Sequence, residues 1–495
     1  MKRNVVPVNP LDILRQKRAE RRGAPAASPS RLQAARAGRA HGASARRRKQ
    51  PYLARLVNQW WTRLLQAVYQ GSLSAQEEEY ESHSASRDYV WNTIGTTVWG
   101  MSLPILSIIA TQLAGTEQAG MFSLAFSTGM LLMYAANYGV RNFQVSDIDE
   151  THAFTSYQVN RWISTIAALV MGVLYCTVRD YQPYMATICA GVYLFKLVDG
   201  VADVYEGRLQ QADKLYLAGI SQTIRSGAVF LIFTLCLLVT RNIAIASVAM
   251  GVAAVASLVI VTIPLALLET EKSRRWRAEE VGDLFRQCFP LFAALFLFNL
   301  IETMPKLVME GALPYENQLY FNALYFPSQS IQIIIGFIYK PQLVRLANIW
   351  SSPKKRKRFD LIIVAVMAVI LGVTVAVGVL MATVGIPLMG FMYGVDFEQF
   401  RTLCYLMVVA GGLIAAIDFL YAIITVLRRQ GSVMRLYLLA FAVVTGLSLV
   451  LVNLVGLTGA VASYLASMTF LLVLLVLEYL NIRRAIRKER NPFLS

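Results

Sequence analysis

The chain has 495 residues, a formal charge of +17, 56% hydrophobic and 16% charged residues, and a mean hydropathy of +0.49. Soluble domains are about 45–50% apolar and about 25% charged, so a set of soluble domains is excluded and a polytopic membrane protein is expected. A charge of +17 suggests a nucleic-acid-binding surface, but its distribution opposes that. Residues 1–63 hold 16 Lys/Arg against Asp12 and Glu20, while the remainder holds 31 against 28. The basicity is mostly a tail on a nearly balanced body.

Residues 1–50 are rich in Arg, Ala, Pro and Ser and read as disordered. They contain no apolar h-region, so no secretory signal is expected there. Residues 51–70 place Leu53, Leu56, Val57, Trp60, Trp61, Leu64, Leu65 and Val68 at helical spacing. That pattern fits a helix lying in the headgroup region, or one packed on the protein's own face. The acidic run Glu77–Glu79 separates it from the first apolar stretch.

A bilayer core needs about 20 apolar residues per helix. Twelve stretches qualify: 90–112, 119–140, 161–178, 182–204, 215–239, 243–268, 287–309, 318–344, 361–385, 401–427, 433–454 and 458–480. With an even count both termini share one side. On that side fall 40 of the 47 Lys/Arg, including Arg141, Arg208, Lys272–Arg277 and Lys354–Arg358; the other side keeps Arg179, Arg241, Lys306 and Arg401. The positive-inside rule then makes both termini cytoplasmic. The sequence divides into a tail (1–87), a six-helix half (88–270), a cytoplasmic linker (271–286), a second six-helix half (287–482) and a basic end (483–495). Spans two and eight echo each other, with an aromatic near the start, small and polar residues mid-span, and Arg141 or Lys340 near the cytoplasmic end. Parallel repeats of this kind place a substrate site between lobes near the midplane.

Ionisable residues inside spans are costly and are functional candidates. Span four reads FKLVDGVADVYEG, with Lys196, Asp199 and Asp203 on one helical face, and span five carries Arg225. They form an interhelical ion-pair cluster, or Lys196 and Arg225 attract an anion while Asp199 or Asp203 binds a cation. Glu302 and Lys306 sit at i,i+4 in span seven, a salt bridge or a cleft lining. Lys340 precedes Pro341 and can snorkel to headgroups. Asp418 in span ten lacks an opposite charge nearby in sequence and needs a tertiary partner, proton or ion. Spans one, two and eight concentrate polar residues, among them Asn92, Thr96, Tyr134, Asn137, Tyr138, Asn322, Gln329 and Gln332, as an aqueous cleft would require; interhelical hydrogen bonding is the alternative. Tyr134, Tyr138 and Tyr325 can stack on sugar rings. Pro104, Pro290, Pro327 and Pro341 mark expected kinks. Cys176, Cys189, Cys236, Cys288 and Cys404 contain no CxxC and read as buried apolar residues. His41, His83 and His152 offer no metal-ligand spacing.

Four stretches together resemble a family. They are YVWNTIGTTVWGMSLPILSIIATQLAGTEQAGMFSLAF, DGVADVYEGRLQQADKLYLAGISQTIRSG, YGVDFEQFRTLCYLM and GLTGAVASYLASMTFLLVLLVLEYL. In this order, across residues 88–482, the chain resembles the polysaccharide transporter (Wzx-type flippase) branch of the multidrug/oligosaccharidyl-lipid/polysaccharide (MOP) exporter superfamily. The long basic tail departs from that branch's compact start. The resemblance implies an all-α protein of two six-helix bundles in a V. It implies transfer of an undecaprenyl-pyrophosphate-linked oligosaccharide across the bacterial cytoplasmic membrane for surface polysaccharide synthesis, by alternating access and without enzymatic turnover.

A pyrophosphate and sugars crossing about 30 Å of hydrocarbon need a cationic, hydroxyl-rich path. Arg141, Lys196, Arg225, Lys306 and Lys340 are candidate cations, with Asn137, Tyr134, Tyr138 and Gln332 beside them. Asp199, Asp203, Asp418 and Glu302 are candidates for coupling to Na+ or H+; no cofactor is expected. No GxxxxGK[ST] occurs, which opposes built-in ATP hydrolysis. Expected partners are the lipid-linked oligosaccharide, anionic lipids through the tail, and the polymerase or export machinery, but not nucleic acid. The alternatives are a cation-coupled multidrug exporter of the same superfamily and a membrane-embedded polysaccharide-synthesis enzyme.

Overall fold

The apolar stretches fold into membrane-length helices. The computed structural model describes residues 77–147, 150–339, 343, 346, 350, 356–427 and 430–490. All belong to one unit, Leu73–Ser495. Residues 1–76, which hold most of the expected tail and its 51–70 helix, and Lys340 and Pro341 lie outside the described residues; the last eleven residues assigned to the tail, 77–87, belong to the first helix.

Span one is two helices, α1 (Glu77–Gly100) and α2 (Ser102–Ala114). The acidic run Glu77–Glu79 opens α1 rather than preceding it. Pro104 lies in the first turn of α2, where its missing N–H would have no intrahelical partner. Spans two to six are α3 (Thr116–Asn137), α5 (Phe154–Val178), α6 (Pro183–Gln211), α7 (Leu215–Thr240) and α8 (Ile243–Ser257), the last continuing through a π turn into α9 (Ile263–Glu269). A short α4 (Val140–Ser146) follows α3. The left-handed Tyr138 (φ 49°) and Gly139 (φ 66°) stop α3, three residues before the expected end.

The second half begins with α10 (Ala278–Met309) and α11 (Glu316–Tyr339). Residues 278–286, expected as linker, are already helical, leaving 271–277 as the non-helical join. Then come α12 (Arg356–Leu380), a π turn, α13 (Ile386–Tyr393), α14 (Arg401–Val426) and α15 (Gln430–Arg490). Ten described segments are long and apolar enough to cross a bilayer. The last runs over Val433–Ala485 and breaks at Val455 and Gly456 (φ 61°), in the expected gap between spans eleven and twelve. The 24 residues of α11 reach about 36 Å at 1.5 Å per residue, but they are more polar. Twelve spans result among the described residues.

The two halves use the same pairings. In the first, α1 packs on α7, α3 on α6 and α6 on α8; in the second, α10 packs on α15, α11 on α14 and α14 on α15. Glycines allow the close approaches: a Cβ on Gly191 of α6 would stand 2.3 Å from the Ser247 carbonyl carbon of α8, and one on Gly411 of α14 would stand 2.6 Å from Ser328 Cα of α11. Between the lobes, α3 meets α11 and α10. The helices α3 and α11 are the two spans whose sequences echo each other.

Arg141, Arg208, Lys214 and Arg274 mark the end of the molecule at which α1 enters and α3 leaves the bundle, here called the basic end. Arg179, Arg241 and Arg401 mark the far end. Lipid-facing side chains such as Leu361, Val364, Leu371 and Leu454 are 66–72% exposed, as expected where hydrocarbon replaces water.

Candidate functional site

A cavity of about 720 Å3 lies between the lobes. The first lobe lines it with Asn92, Thr93, Thr96, Thr97 and Trp99 of α1, with Phe126, Ser127 and Tyr134 of α3, and with Lys196 of α6. The second lobe adds Phe298, Asn299, Glu302, Thr303 and Lys306 of α10, Tyr325, Gln329, Gln332 and Phe337 of α11, and Asp418 of α14. Along α3 most of these residues lie in the half nearer the basic end, whereas on α10 they lie in the half nearer the far end. At the far end the lobes touch: a Cβ on Gly120 of α3 would stand 2.0 Å from the Tyr315 carbonyl oxygen just before α11. Gln112 Nε2 also donates to the Met392 carbonyl at 2.8 Å. The cleft is closed at the far end.

Behind the first-lobe wall runs an alternating chain of charges. Lys196 Nζ is 3.1 Å from Asp199 Oδ2. Arg225 Nε stands 2.8 Å from Asp199 Oδ1, and its Nη1 stands 2.8 Å from Glu206 Oε1. Arg141 Nη1 is 3.9 Å from Glu206 Oε2 and 2.8 Å from Asp203 Oδ1. Arg161 Nη2 closes the series, 2.8 Å from Asp203 Oδ2. Four cations face three carboxylates, leaving one formal positive charge. Lys196 is its cleft end, with Nζ 4.1 Å from the Phe195 ring centroid and 4.3 Å from that of Phe126, a cation–π setting. Trp99 of α1, beside Lys196, donates Nε1–H to Asp199 at 2.9 Å.

The second-lobe wall carries the opposite sign. Glu302 accepts hydrogen bonds from Tyr325 at 3.2 Å and Tyr464 at 3.3 Å. Asp418 accepts from Gln332 Nε2 at 2.7 Å, a neutral tertiary partner from α11. Lys306 Nζ lies over the Tyr325 ring, 5.1 Å from its centroid. Glu302, Asp418 and Lys306 leave this wall with one formal negative charge, so the cleft lining is balanced overall and not net cationic.

Of the sequence candidates, Lys196, Lys306, Tyr134, Gln332, Glu302 and Asp418 meet in the cleft. Asp199, Asp203, Arg225 and Arg141 are joined in the charge chain, and all but Lys196 of that chain stand outside the lining. Asn137 accepts from Arg161 Nη1 at 2.8 Å. Tyr138 stacks on Phe292 with ring centroids 4.3 Å apart, so its ring is engaged between lobes. Sequence reasoning missed Glu206 and Arg161. Glu206 was findable, since Lys196, Asp199, Asp203 and Glu206 follow a 3-4-3 spacing on one helical face. Arg161 carried no such signal, because its acid lies on another helix. Trp99 and Tyr464 were missed for the same reason.

No protein-family model and no curated protein matches the sequence. Solved structures do match in shape. An inward-facing multidrug-resistance MATE transporter of the MOP superfamily superposes with a TM-score of 0.61 at 11% identity, covering 80% of this chain and 99% of that one. The fold is that of MOP-superfamily transporters. An outward-facing MATE transporter gives 0.53 at 12% identity over 81% and 96% of the two chains. A MOP-superfamily transporter from Pyrococcus furiosus gives 0.55 at 11% identity over 82% and 96%. The two-bundle plan expected from the sequence is therefore present, and the likeness extends to the superfamily's fold.

Proposed function

We propose that the protein moves a lipid-linked oligosaccharide from the cytoplasmic to the outer leaflet of a bacterial inner membrane by alternating access. The observation that carries this reading is the lining of the cleft. Amides and hydroxyls on α1, α10 and α11 replace the water around sugar hydroxyls, and Trp99, Tyr134 and Tyr325 supply flat faces for sugar rings. Lys196, at the end of a chain with one excess positive charge, meets the pyrophosphate. Glu302 and Asp418, on the opposing wall, take the coupling proton or Na+. The basic end faces the cytoplasm by the positive-inside rule, with both termini there. The tail lies against anionic lipid, and polymerase or export machinery receives the flipped product. The role is transport, not enzymatic turnover.

The test is leaflet accessibility of a pyrophosphate-linked oligosaccharide in proteoliposomes. Faster exposure at the opposite leaflet, relative to protein-free vesicles, is expected; an unchanged rate with folded protein overturns the reading. The acidic pair Glu302 and Asp418 favours one other substrate, a lipophilic cation. Gradient-driven efflux of such a cation without glycolipid transfer would select the multidrug-exporter reading instead.

A further inference from the structure

At the far end of the cleft one buried carboxylate bridges the lobes. Glu310 follows α10 in the second lobe and is 8% exposed. All of its donors come from the α5–α6 hairpin of the first lobe. Tyr175 at the end of α5 and Tyr181 in the connection donate their hydroxyls to its two oxygens. Arg179 Nη2 lies 3.2 Å from Glu310 Oε2 and also donates to the Leu307 carbonyl at 3.0 Å. The rings of Tyr175 and Tyr181 meet edge to face, with centroids 6.1 Å apart, so the donors are pre-arranged around one point. A buried carboxylate is tolerable only with such donors in place.

A second carboxylate pins the other end of α10. Glu280 accepts from Ala153 N at 2.9 Å and Ser156 Oγ at 2.7 Å. It lies three residues beyond the join 271–277, so that contact can persist while the lobes tilt. The Glu310 contact cannot persist, because it spans the mouth that must open for the far side to be reached.

We infer that Glu310, gripped by Tyr175, Arg179 and Tyr181, is the latch that holds the far end shut. The inference rests on the alternating-access reading, but not on any particular substrate. On opening, water replaces three donors, and the carboxylate moves from a buried to a hydrated setting. Each charge-assisted bond removed from the closed state shifts the closed-to-open ratio by about tenfold.

Hydrogen exchange read by mass spectrometry tests this on the full-length protein in nanodiscs. Tyr175→Phe/Tyr181→Phe and Glu310→Gln are compared with wild type, and Arg179→Gln serves as a milder variant should either fail to fold. The expected result is reciprocal. Exchange rises several-fold at the far end, in residues 109–116 and 310–318, and falls around the cleft mouth at the basic end, in residues 92–100 and 325–337. Unchanged exchange, or an increase at both ends, overturns the latch, since simple loosening moves both ends alike. A reciprocal shift in a protein that moves no glycolipid keeps the latch and removes the substrate reading. Glycolipid transfer without a reciprocal shift does the opposite.

Discussion

Arg225 Nη1 and Glu206 Oε1 stand 2.8 Å apart in the interior of the first lobe, joining α7 to α6. The same guanidinium holds Asp199, so one side chain compensates two buried carboxylates. Arg225→Leu is expected to destabilise the protein by about 3–5 kcal/mol, the usual cost of stranding a buried charge. Thermal or denaturant unfolding in detergent checks this. A variant as stable as wild type would show that the pair carries little of the fold.

Lys196→Gln removes only the cleft end of the chain. Asp199 keeps Arg225 and the Trp99 N–H, so folding survives while the positive wall is lost. Transfer of the pyrophosphate-linked substrate is expected to fall at least about tenfold, the equivalent of one charge-assisted contact. Initial rates in proteoliposomes measure it, with unfolding curves run in parallel.

Glu302→Gln and Asp418→Asn keep hydrogen-bonding capacity at the opposite wall and remove its negative charge. Transport driven by an imposed proton or Na+ gradient should drop to the rate seen without a gradient. Retained gradient dependence in both variants would place coupling elsewhere.

Asp147, in the turn after α4, accepts hydrogen bonds from Thr151 N at 2.8 Å, Thr151 Oγ1 at 2.7 Å, His152 N at 3.0 Å and Tyr157 OH at 3.1 Å. Burial pushes its carboxyl up, but the N–H groups of His152 and Thr151 and the two hydroxyls outweigh it and hold the group below its ordinary 3.8. A lowered value stabilises the fold above the unfolded value and loses that contribution as pH falls through the folded one. Asp147→Asn should therefore melt earlier than wild type at pH 7, with the gap shrinking as pH drops below about 4. A gap constant from pH 7 to pH 3 would contradict this.

The helices were legible because a bilayer demands long apolar runs, and the Gly456 break even fell in the expected gap. Helix ends were less so: Tyr138 takes a left-handed conformation that no apolar count detects, and α10 begins nine residues before its apolar stretch. At the site, charges inside spans pointed to helices that line the cavity. They could not say which face the cleft. Lys196 and Arg225 look alike in a hydropathy trace, yet one lines the cavity and the other is enclosed by Asp199 and Glu206. That difference is set by helix rotation and by partners on other helices, such as Trp99 on α1 and Tyr464 on α15. The expected cationic cleft became two walls of opposite sign for the same reason, since Arg141 and Arg225 turn their charge onto acids behind the wall.

The polarity of α11 has a consequence for how the protein is made. Asn322, Ser328, Gln329 and Gln332 give this span too little apolar surface to partition into lipid alone, yet Ser328 donates to the Met407 carbonyl of α14 and Gln332 to Asp418. Both partners are synthesised some eighty residues later. The polar face of α11 therefore gains these two partners only once α14 has been made, so the residues that line the cavity also tie the packing of α11 to the completion of the second lobe.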